Sequence, residues 1–487
     1  MKLHNLLSPW LNQLPKDCDI TGITHDSRKV KSGDLFLAYP GHQVDGRQYI
    51  QQAIDKGACA ILYEAEHNTE LFLEQVNPSA AVLVPFIGLE KHLATLAARF
   101  YGQPAQYLQF TGVTGTNGKT TIAYQLAQAY TLLSESSVYI GTLGQGKTNQ
   151  LQTLHNTTPD GLILQGLLHD YVTQGVRQVC MEVSSHALAQ QRVAEIPFQQ
   201  AIFTNLTHDH LDYHQTMEAY AEAKAKLFAT PSLRYAIINQ DDPYAKLMLQ
   251  RLPSSCEAYT YGIDKSAMIQ AYDWNVSLQG TRIHMHTPWG DQLLQIRALG
   301  YFNIYNALAI FTSLAVAGYE ISQIITIMAE LKPAPGRMEV VSQSPTVIVD
   351  YAHTPDALEN VLRTLRPLKQ GKLMVVFGCG GDRDRLKRPI MGKIAVDYAD
   401  QVIVTSDNPR HEDPQQIIQD ILHGIGAEQI SKVHTIIERE PAIRYALANA
   451  EPADIILIAG KGHESYQQIG DEIIPFSDQA IVHACHG

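Results

Sequence analysis

Long apolar runs are missing from this chain of 487 residues. No window approaches 18 uninterrupted apolar residues, so no segment reads as a membrane-spanning helix. The opening stretch "MKLHNLLSPWLNQLPKD" has no apolar centre of the kind a secretory signal carries, and export is not expected. Cysteine is sparse: Cys18, Cys59, Cys180, Cys256, Cys379 and Cys485 form no C-x-x-C pair and no stapled framework, which suits a reducing cytoplasm. Positive charge is not in excess either. At a formal net charge of -12, the chain offers no basic face for a nucleic-acid backbone, although local Lys and Arg can still hold small anions. Fixed-period repeats, low-complexity tracts and a G-x-G-x-x-G dinucleotide fingerprint are also absent.

What is present is the composition of a soluble globular protein, 45% hydrophobic and 18% charged. The length is too great for one core and suits three domains of ~150 residues each. Residues 1–87 alternate strand-like runs ("GDLFLAYPG", "ACAILYEA", "AAVLVPF") with the helical pattern "YIQQAIDKGA", which predicts a small α/β domain. The helix-like "LEKHLATLAARFYG" leads into a second domain, 88–333, that begins with a strand, a Gly-rich loop and a helix. Pro333, Pro335 and Gly336 mark the next boundary and an expected hinge. In 334–487, "TVIVDYA", "KLMVVFG", "QVIVTSD" and "DIILIAGKG" alternate with helical stretches, predicting a Rossmann-like parallel sheet.

Chemistry enters at "TGVTGTNGKTT". Backbone N–H groups of Gly115, Thr116, Asn117 and Gly118 opening a helix favour phosphate, Lys119 can reach its oxygens, and Thr120 can ligate Mg²⁺. Gly112 lies one residue further from Gly118 than the usual P-loop spacing, with Val113 in the standard place. The apolar strand in "RQVCMEVSSHAL" ends in Glu182, where a second metal ligand would sit, followed by Ser184, Ser185 and His186. "FTNLTHDHLDYH" brings His208, Asp209, His210, Asp212 and His214 after another strand. H-x-H spacing could also take zinc, but no cysteine or H-E-x-x-H accompanies it. Lys224 in "AEAKAKLF" reads from composition alone as a solvated helical lysine, with Lys226 its twin.

Taken in order, "TGTNGKTT", "EVSSHAL", "NLTHDHLDYH", "YAEAKAKLF", "GYFNIYNALAI", "PGRMEVV" and "DYAHTPDAL" resemble the Mur ligases over the whole chain. These are cytoplasmic, ATP-dependent amide-bond formers that build the peptide of the bacterial cell-wall precursor. The resemblance accounts for the altered loop spacing, since "TGTNGKT" is the form these ligases carry. It implies a UDP-binding N-terminal domain, a central P-loop ATPase-like domain, and a Rossmann-like domain for the incoming amino acid. The member most resembled adds the third peptide residue to UDP-N-acetylmuramoyl-L-alanyl-D-glutamate.

The carried-over residues follow. Lys119, Glu182, His210 and a CO₂-derived carbamate on Lys224 are implied for catalysis, and Thr120, Glu182, His210 and that carbamate for Mg²⁺. Gly115 to Thr121, including Thr121 itself, with Asn303 and Arg337, are implied for ATP. His25, Ser27, His42, Gln43 and Val44 are implied for the uridine diphosphate end, and Asn156, Thr157, Thr158, Ser184, Gln190 and Arg192 for the muramoyl dipeptide. "DNPR", Asp407, Asn408, Pro409 and Arg410, is the form of members that add meso-diaminopimelate. That amino acid differs from lysine by one distal carboxylate, which a guanidinium can grip with two hydrogen bonds. Arg383, Gly460 and Glu464 complete the implied pocket. A monomer is expected, with domain closure because Lys119 and Arg410 fall in different domains.

Overall fold

The computed structural model describes residues 1–486 apart from 12, 42–43, 67–69, 74–75, 77–80 and 265–266. Their contacts gather into two compact units. One contains Met1–Lys119, Tyr130–Ala236 and Pro243–Ala258; the other contains Thr120–Ala129, Ile237–Asp242 and the chain from Tyr259 onward.

In the first unit, Gly22–Thr24, Asp34–Ala38, Ala60–Glu64 and Val82–Phe86 pair in that order as a parallel sheet. The predicted strand-like runs all fall on it. Period-2 alternation sends Leu35 and Leu37 to one face, against Leu3, Leu7 and Leu93, and Phe36 and Ala38 to the other, against Ile50 and Ala53. Both faces are covered, as a parallel sheet requires. Glu64, at a strand end, accepts hydrogen bonds from Gly88 N (3.1 Å) and Leu89 N (2.8 Å). It thereby satisfies the N-terminus of the predicted helix, Leu89–Phe100. Cys18 and Cys59, distant in sequence, lie with their sulfurs 3.4 Å apart as free thiols.

A second sheet region of this unit runs Phe198–Phe203, Gln109–Thr114, Gln178–Glu182 and Ser137–Gly141, all parallel, then Gly144–Lys147 and Gln150–Gln152, antiparallel. Register places Val113 beside Glu182 and Ile140 beside Met181. Three strands therefore end level, and the loops after them form one rim, the place where α/β proteins build their sites.

In the second unit, Ile269–Ser277, Gly280–His286 and Gln292–Ile296 form an antiparallel meander. Helix Tyr301–Val316 buries nearly every side chain after its first turn. Gln125 and Gln128 amides donate to Lys332 O at 3.1 Å each. Four residues later, a Cβ on Gly336 would lie 2.2 Å from the Gly462 carbonyl carbon, so only glycine allows this approach. The predicted Rossmann-like sheet follows in the order Glu339–Gln343, Thr346–Asp350, Ile455–Ala459, Leu373–Phe377, Gln401–Val404 and Val433–Thr435. All its pairings are parallel except the first.

Beneath this sheet Arg439 and Asp478 form an ion pair with both side chains fully buried; Arg439 Nε and Nη2 each reach the carboxylate at 2.8 Å. Removing one partner would strand the other's charge in a dry interior. Arg439→Met is expected to lower unfolding free energy by ~3–5 kcal/mol, measured by urea denaturation. A change below ~1 kcal/mol would show that water reaches Asp478.

Candidate active site

The phosphate-type loop is shaped by the strand beside it. Gly115 has φ 145°, and a Cβ there would come within 1.8 Å of Thr204 Oγ1, so a side chain is excluded on both counts. Thr116 N donates to Asn205 O (2.8 Å), Asn117 N to Asn205 Oδ1 (3.0 Å), and Thr204 Oγ1 to Asn117 O (2.6 Å). Helix Lys119–Leu132 starts directly after Gly118. Lys119 Nζ folds back onto its own loop, donating to Gly115 O (2.9 Å) and Thr116 O (2.8 Å), which holds a cation where phosphate oxygens would lie.

Lys224 is not the solvated lysine that composition suggests. It is 1% exposed, donates to Gly115 O at 2.8 Å, and its Nζ stands 4.5 Å from the centre of the Tyr220 ring. Burial, and then the charge of Lys119, hold its amine well below the usual lysine range. Tyr220 lies one helical turn before it and also meets Thr116 Oγ1 at 3.3 Å and the His210 ring at 6.0 Å. Glu182 is fully buried. Its carboxylate accepts from Tyr139 Oη (2.5 Å), Thr142 N (2.9 Å) and Thr142 Oγ1 (3.3 Å), all neutral donors. Among the described residues it forms no ion pair, so a buried negative charge is left for a cation to complement. His210, at φ 53°, stands 3.4 Å from Asp209 Oδ2 and packs its ring 5.1 Å from that of His186. No group of three or more His, Cys, Asp or Glu side chains that could hold a metal ion occurs among the described residues.

The residues implied for the dipeptide are brought together. Thr158 Oγ1 donates to Glu182 O (2.8 Å) and accepts from Ser184 N (3.1 Å). Arg192 donates to Thr158 O (2.8 Å) and, through Nε and Nη2, to Gln190 Oε1 (2.9 and 2.6 Å). Thr157 meets Thr142 at 3.2 Å, and Ser184 caps the helix Ser185–Ala189. Asn156 is exposed. Of the residues implied for the uridine end, Ser27 is buried and donates to Gln52 Oε1 (2.7 Å). His25 Nδ1 is buried without a hydrogen-bond partner, 4.0 Å from Asp160, and Val44 is exposed. His42 and Gln43 lie outside the described residues.

In the second unit, Thr120 and Thr121 are buried. Arg337 Nη2 reaches Thr120 Oγ1 at 3.5 Å, its guanidinium lies 4.5 Å over the Tyr351 ring, and its buried Nε has no hydrogen-bond partner. An unsatisfied guanidinium N–H of this kind fits an anionic ligand. Asn303 is 3% exposed, with its amide donating to Leu299 O (2.6 Å) and accepting from Asn306 (2.8 Å). It is thus an interior residue.

"DNPR" follows the strand Gln401–Val404 after Thr405 and Ser406. Asp407, Asn408 and Pro409 are buried. Arg410 takes φ 50°, fixed by backbone hydrogen bonds to Gln468 O (3.1 Å) and from Gly470 N (2.7 Å). Its Nη1 donates to Gly381 O at 2.7 Å. A Cβ on Gly380 would lie 3.0 Å from Arg410 Nη1 and 3.7 Å from Arg383 Cγ, so both arginines flank that glycine. Gly460, at φ 112°, leaves room for Asp407, whose Oδ2 would be 2.6 Å from any Cβ there. Burial raises the Tyr466 phenol pKa, Glu464 and Asp407 raise it further, and Arg410 and Arg383 lower it. The charges of all four act on that one ring. The sequence reading missed Tyr139, Thr142, Tyr220 and Lys461; only Tyr220, four residues before Lys224 on one helix, had a legible signal.

Family models agree with this layout. The Mur ligase family catalytic domain matches residues 19–101, the Mur ligase middle domain 113–314, and the Mur ligase glutamate ligase domain 336–462. The chain belongs to the Mur ligase family. This Mur ligase is a three-domain α/β enzyme, with N-terminal, middle and C-terminal domains each built on its own sheet region. It is 47% identical over 463 residues to the UDP-N-acetylmuramoyl-L-alanyl-D-glutamate--2,6-diaminopimelate ligase of Ectopseudomonas mendocina (strain ymp), covering 94% of this chain and 93% of the relative. The enzyme of the same name from Pseudomonas aeruginosa is 46% identical, covering 97% and 96%. A solved structure of a ligase of that name superposes with a TM-score of 0.69 at 37% identity, covering 96% of both chains. MurF ligase from Thermotoga maritima in complex with ADP shares the fold, with a TM-score of 0.63 at 18% identity over 90% of this chain and 93% of that one. No described helix is long and apolar enough to cross a membrane.

Proposed function

We propose that this Mur ligase joins meso-2,6-diaminopimelate to UDP-N-acetylmuramoyl-L-alanyl-D-glutamate, coupled to cleavage of ATP to ADP and phosphate. Relatives of that name at 46–47% identity over nearly the whole chain support the reading. The observation that carries the amino-acid specificity is Arg410, which flanks Gly380 together with Arg383, in a turn whose Asp407 packs against Gly460 and whose Asn408 bonds Glu464 at 2.9 Å. Two cations and two carboxylates suit an amino-acid end that bears both a carboxylate and an ammonium.

Amide formation in water needs a better leaving group than oxide. The γ-carboxylate of the D-glutamate attacks the γ-phosphorus of ATP, the bond to the ADP oxygen breaks, and an acyl phosphate forms. The amine of diaminopimelate then attacks the acyl carbon, phosphate departs, and the amine loses a proton. Lys119 stabilises the negative charge on the transferred phosphoryl oxygens. Arg192 and Thr158 position the carboxylate substrate, and Arg337 and Asn303 serve the nucleotide. Glu182, His210 and Lys224, the last as its carbamate, are the first-unit residues that would hold Mg²⁺, with Thr120 the helix-start ligand. The uncompensated buried charge of Glu182 fits that assignment. When bound, Mg²⁺ would supply charge neutralisation to the phosphates. A neutral Lys224 amine is the form that adds CO₂, giving a carbamate and a proton. The enzyme works as a cytoplasmic monomer in this reading.

The test is Arg410→Ala. Phosphate release driven by diaminopimelate should fall in kcat/KM by on the order of 100-fold, because a desolvated carboxylate loses its partner, while release driven by lysine stays within about threefold. An equal loss for both amino acids would mean that Arg410 supports the loop and does not read the distal carboxylate.

A further inference from the structure

The charged pocket of the C-terminal domain contains one buried cation that the proposed reaction leaves unused. Lys461 is fully buried. Its Nζ donates to Asn408 Oδ1 and to Glu464 Oε2, both at 3.0 Å. Asn408 Nδ2 donates to the same Glu464 oxygen at 2.9 Å, and Gln468 N donates to Asn408 Oδ1 at 3.0 Å. The rings of Tyr466 and Phe476 stand 5.5 and 6.0 Å from the ammonium. Burying a lysine in this way is costly unless its donors are used, and two of them are.

The network has a geometric consequence. Asn408 Oδ1 faces two donors, so its amide has one orientation, and flipping it would set N–H against N–H. Nδ2 must then point at Glu464. With Lys461 and Asn408 both on Oε2, the carboxylate plane of Glu464 is fixed, and Oε1 accepts no hydrogen bond among the described residues. A preorganised acceptor is left for a ligand ammonium.

It has an electrostatic consequence as well. Lys461 adds its positive charge 5.5 Å from the Tyr466 ring, whose phenol also feels Arg410 and Arg383 against Glu464 and Asp407. Diaminopimelate, with two ammonium and two carboxylate groups, is neutral overall; lysine carries a net positive charge. The charge of Lys461 opposes lysine, and its pairing with Glu464 at 3.0 Å weakens the pull of that carboxylate on a ligand that offers an ammonium alone.

We propose that Lys461 is a positioning and specificity residue. It orients Asn408 and Glu464, and by neutralising Glu464 it biases the pocket against amino acids whose side chain ends in an ammonium without a carboxylate. The inference rests on the functional reading given above.

The experiment uses the full-length enzyme with ATP, Mg²⁺ and the nucleotide-sugar dipeptide, comparing wild type with Lys461→Met, which keeps length and removes charge. KM for diaminopimelate should rise roughly tenfold while KM for ATP and for the nucleotide-sugar substrate holds, and the kcat/KM ratio of diaminopimelate to lysine should fall about tenfold or more. If circular dichroism shows that Lys461→Met does not fold, Asn408→Asp replaces it. That variant adds a carboxylate in contact with Lys461 and Glu464 and should move the same ratio toward lysine. An unchanged ratio and unchanged KM in a folded variant would overturn the proposal and make Lys461 a structural residue. Wild-type enzyme that turns over neither amino acid would instead overturn the functional reading on which the proposal rests.

Discussion

Lys119→Ala is expected to lower turnover by on the order of 100- to 1,000-fold, the usual loss when one preorganised donor to a charged transition state is removed. The ammonium sits on the carbonyls of Gly115 and Thr116, 2.9 and 2.8 Å away. It needs little movement to exchange those oxygens for phosphate oxygens that become more negative as the phosphoryl group transfers. The effect should therefore appear in kcat more than in KM for diaminopimelate, whose proposed contacts are all in the C-terminal domain. Single-turnover measurement of acyl-phosphate formation, trapped by hydroxylamine, would separate this step from amide formation. A variant with normal acyl-phosphate formation would remove Lys119 from the chemistry.

The second large effect is expected at Lys224. Burial, and then the charge of Lys119, hold this fully buried amine well below the usual lysine range, which favours its uncharged form, and only the uncharged amine adds CO₂. Conversion to a carbamate replaces a group that would repel Mg²⁺ with an anionic oxygen ligand. Lys224→Ala should lose on the order of 100- to 1,000-fold in turnover. Wild-type enzyme stripped of CO₂ should lose activity and regain it with bicarbonate, whereas the alanine variant should respond to neither treatment. Carbon-13 bicarbonate should give a carbamate resonance in wild type alone. Full activity of CO₂-free wild type, with no such resonance, would leave Lys224 as an amine bonded to Gly115 O.

Strand alternation and turn residues made much of the fold legible. "DLFLA", "TVIVD", "LMVVF" and "IILIA" are apolar runs of strand length, and each is a buried strand. Burial on both faces of a parallel sheet leaves that mark in sequence. The meander Ile269–Ser277, Gly280–His286 and Gln292–Ile296 was not legible, because its first strand, "IQAYDWNVS", keeps only Ile269 and Ala271 buried and otherwise mixes polar and aromatic residues.

The candidate site divides in the same manner. Lys119 and Glu182 could be placed by local pattern, a Gly-rich turn and a strand end. Lys224 could not: its burial depends on Gly115 and Tyr220, and nothing in "AEAKAKLF" encodes the first of these. Lys461 was hidden for a related reason. A lysine between two glycines reads as a loop residue until the chain brings Asn408 and Glu464 onto it. Long-range partners, not local propensity, decide such positions.

The central claim, a Mur ligase that adds meso-diaminopimelate, is tested most directly by competition. Wild-type enzyme is supplied with ATP, Mg²⁺, UDP-N-acetylmuramoyl-L-alanyl-D-glutamate and equal concentrations of meso-diaminopimelate and L-lysine, and the nucleotide products are separated by mass. The account predicts the diaminopimelate adduct almost alone, with one phosphate released per amide formed. A lysine adduct in comparable amount would contradict it.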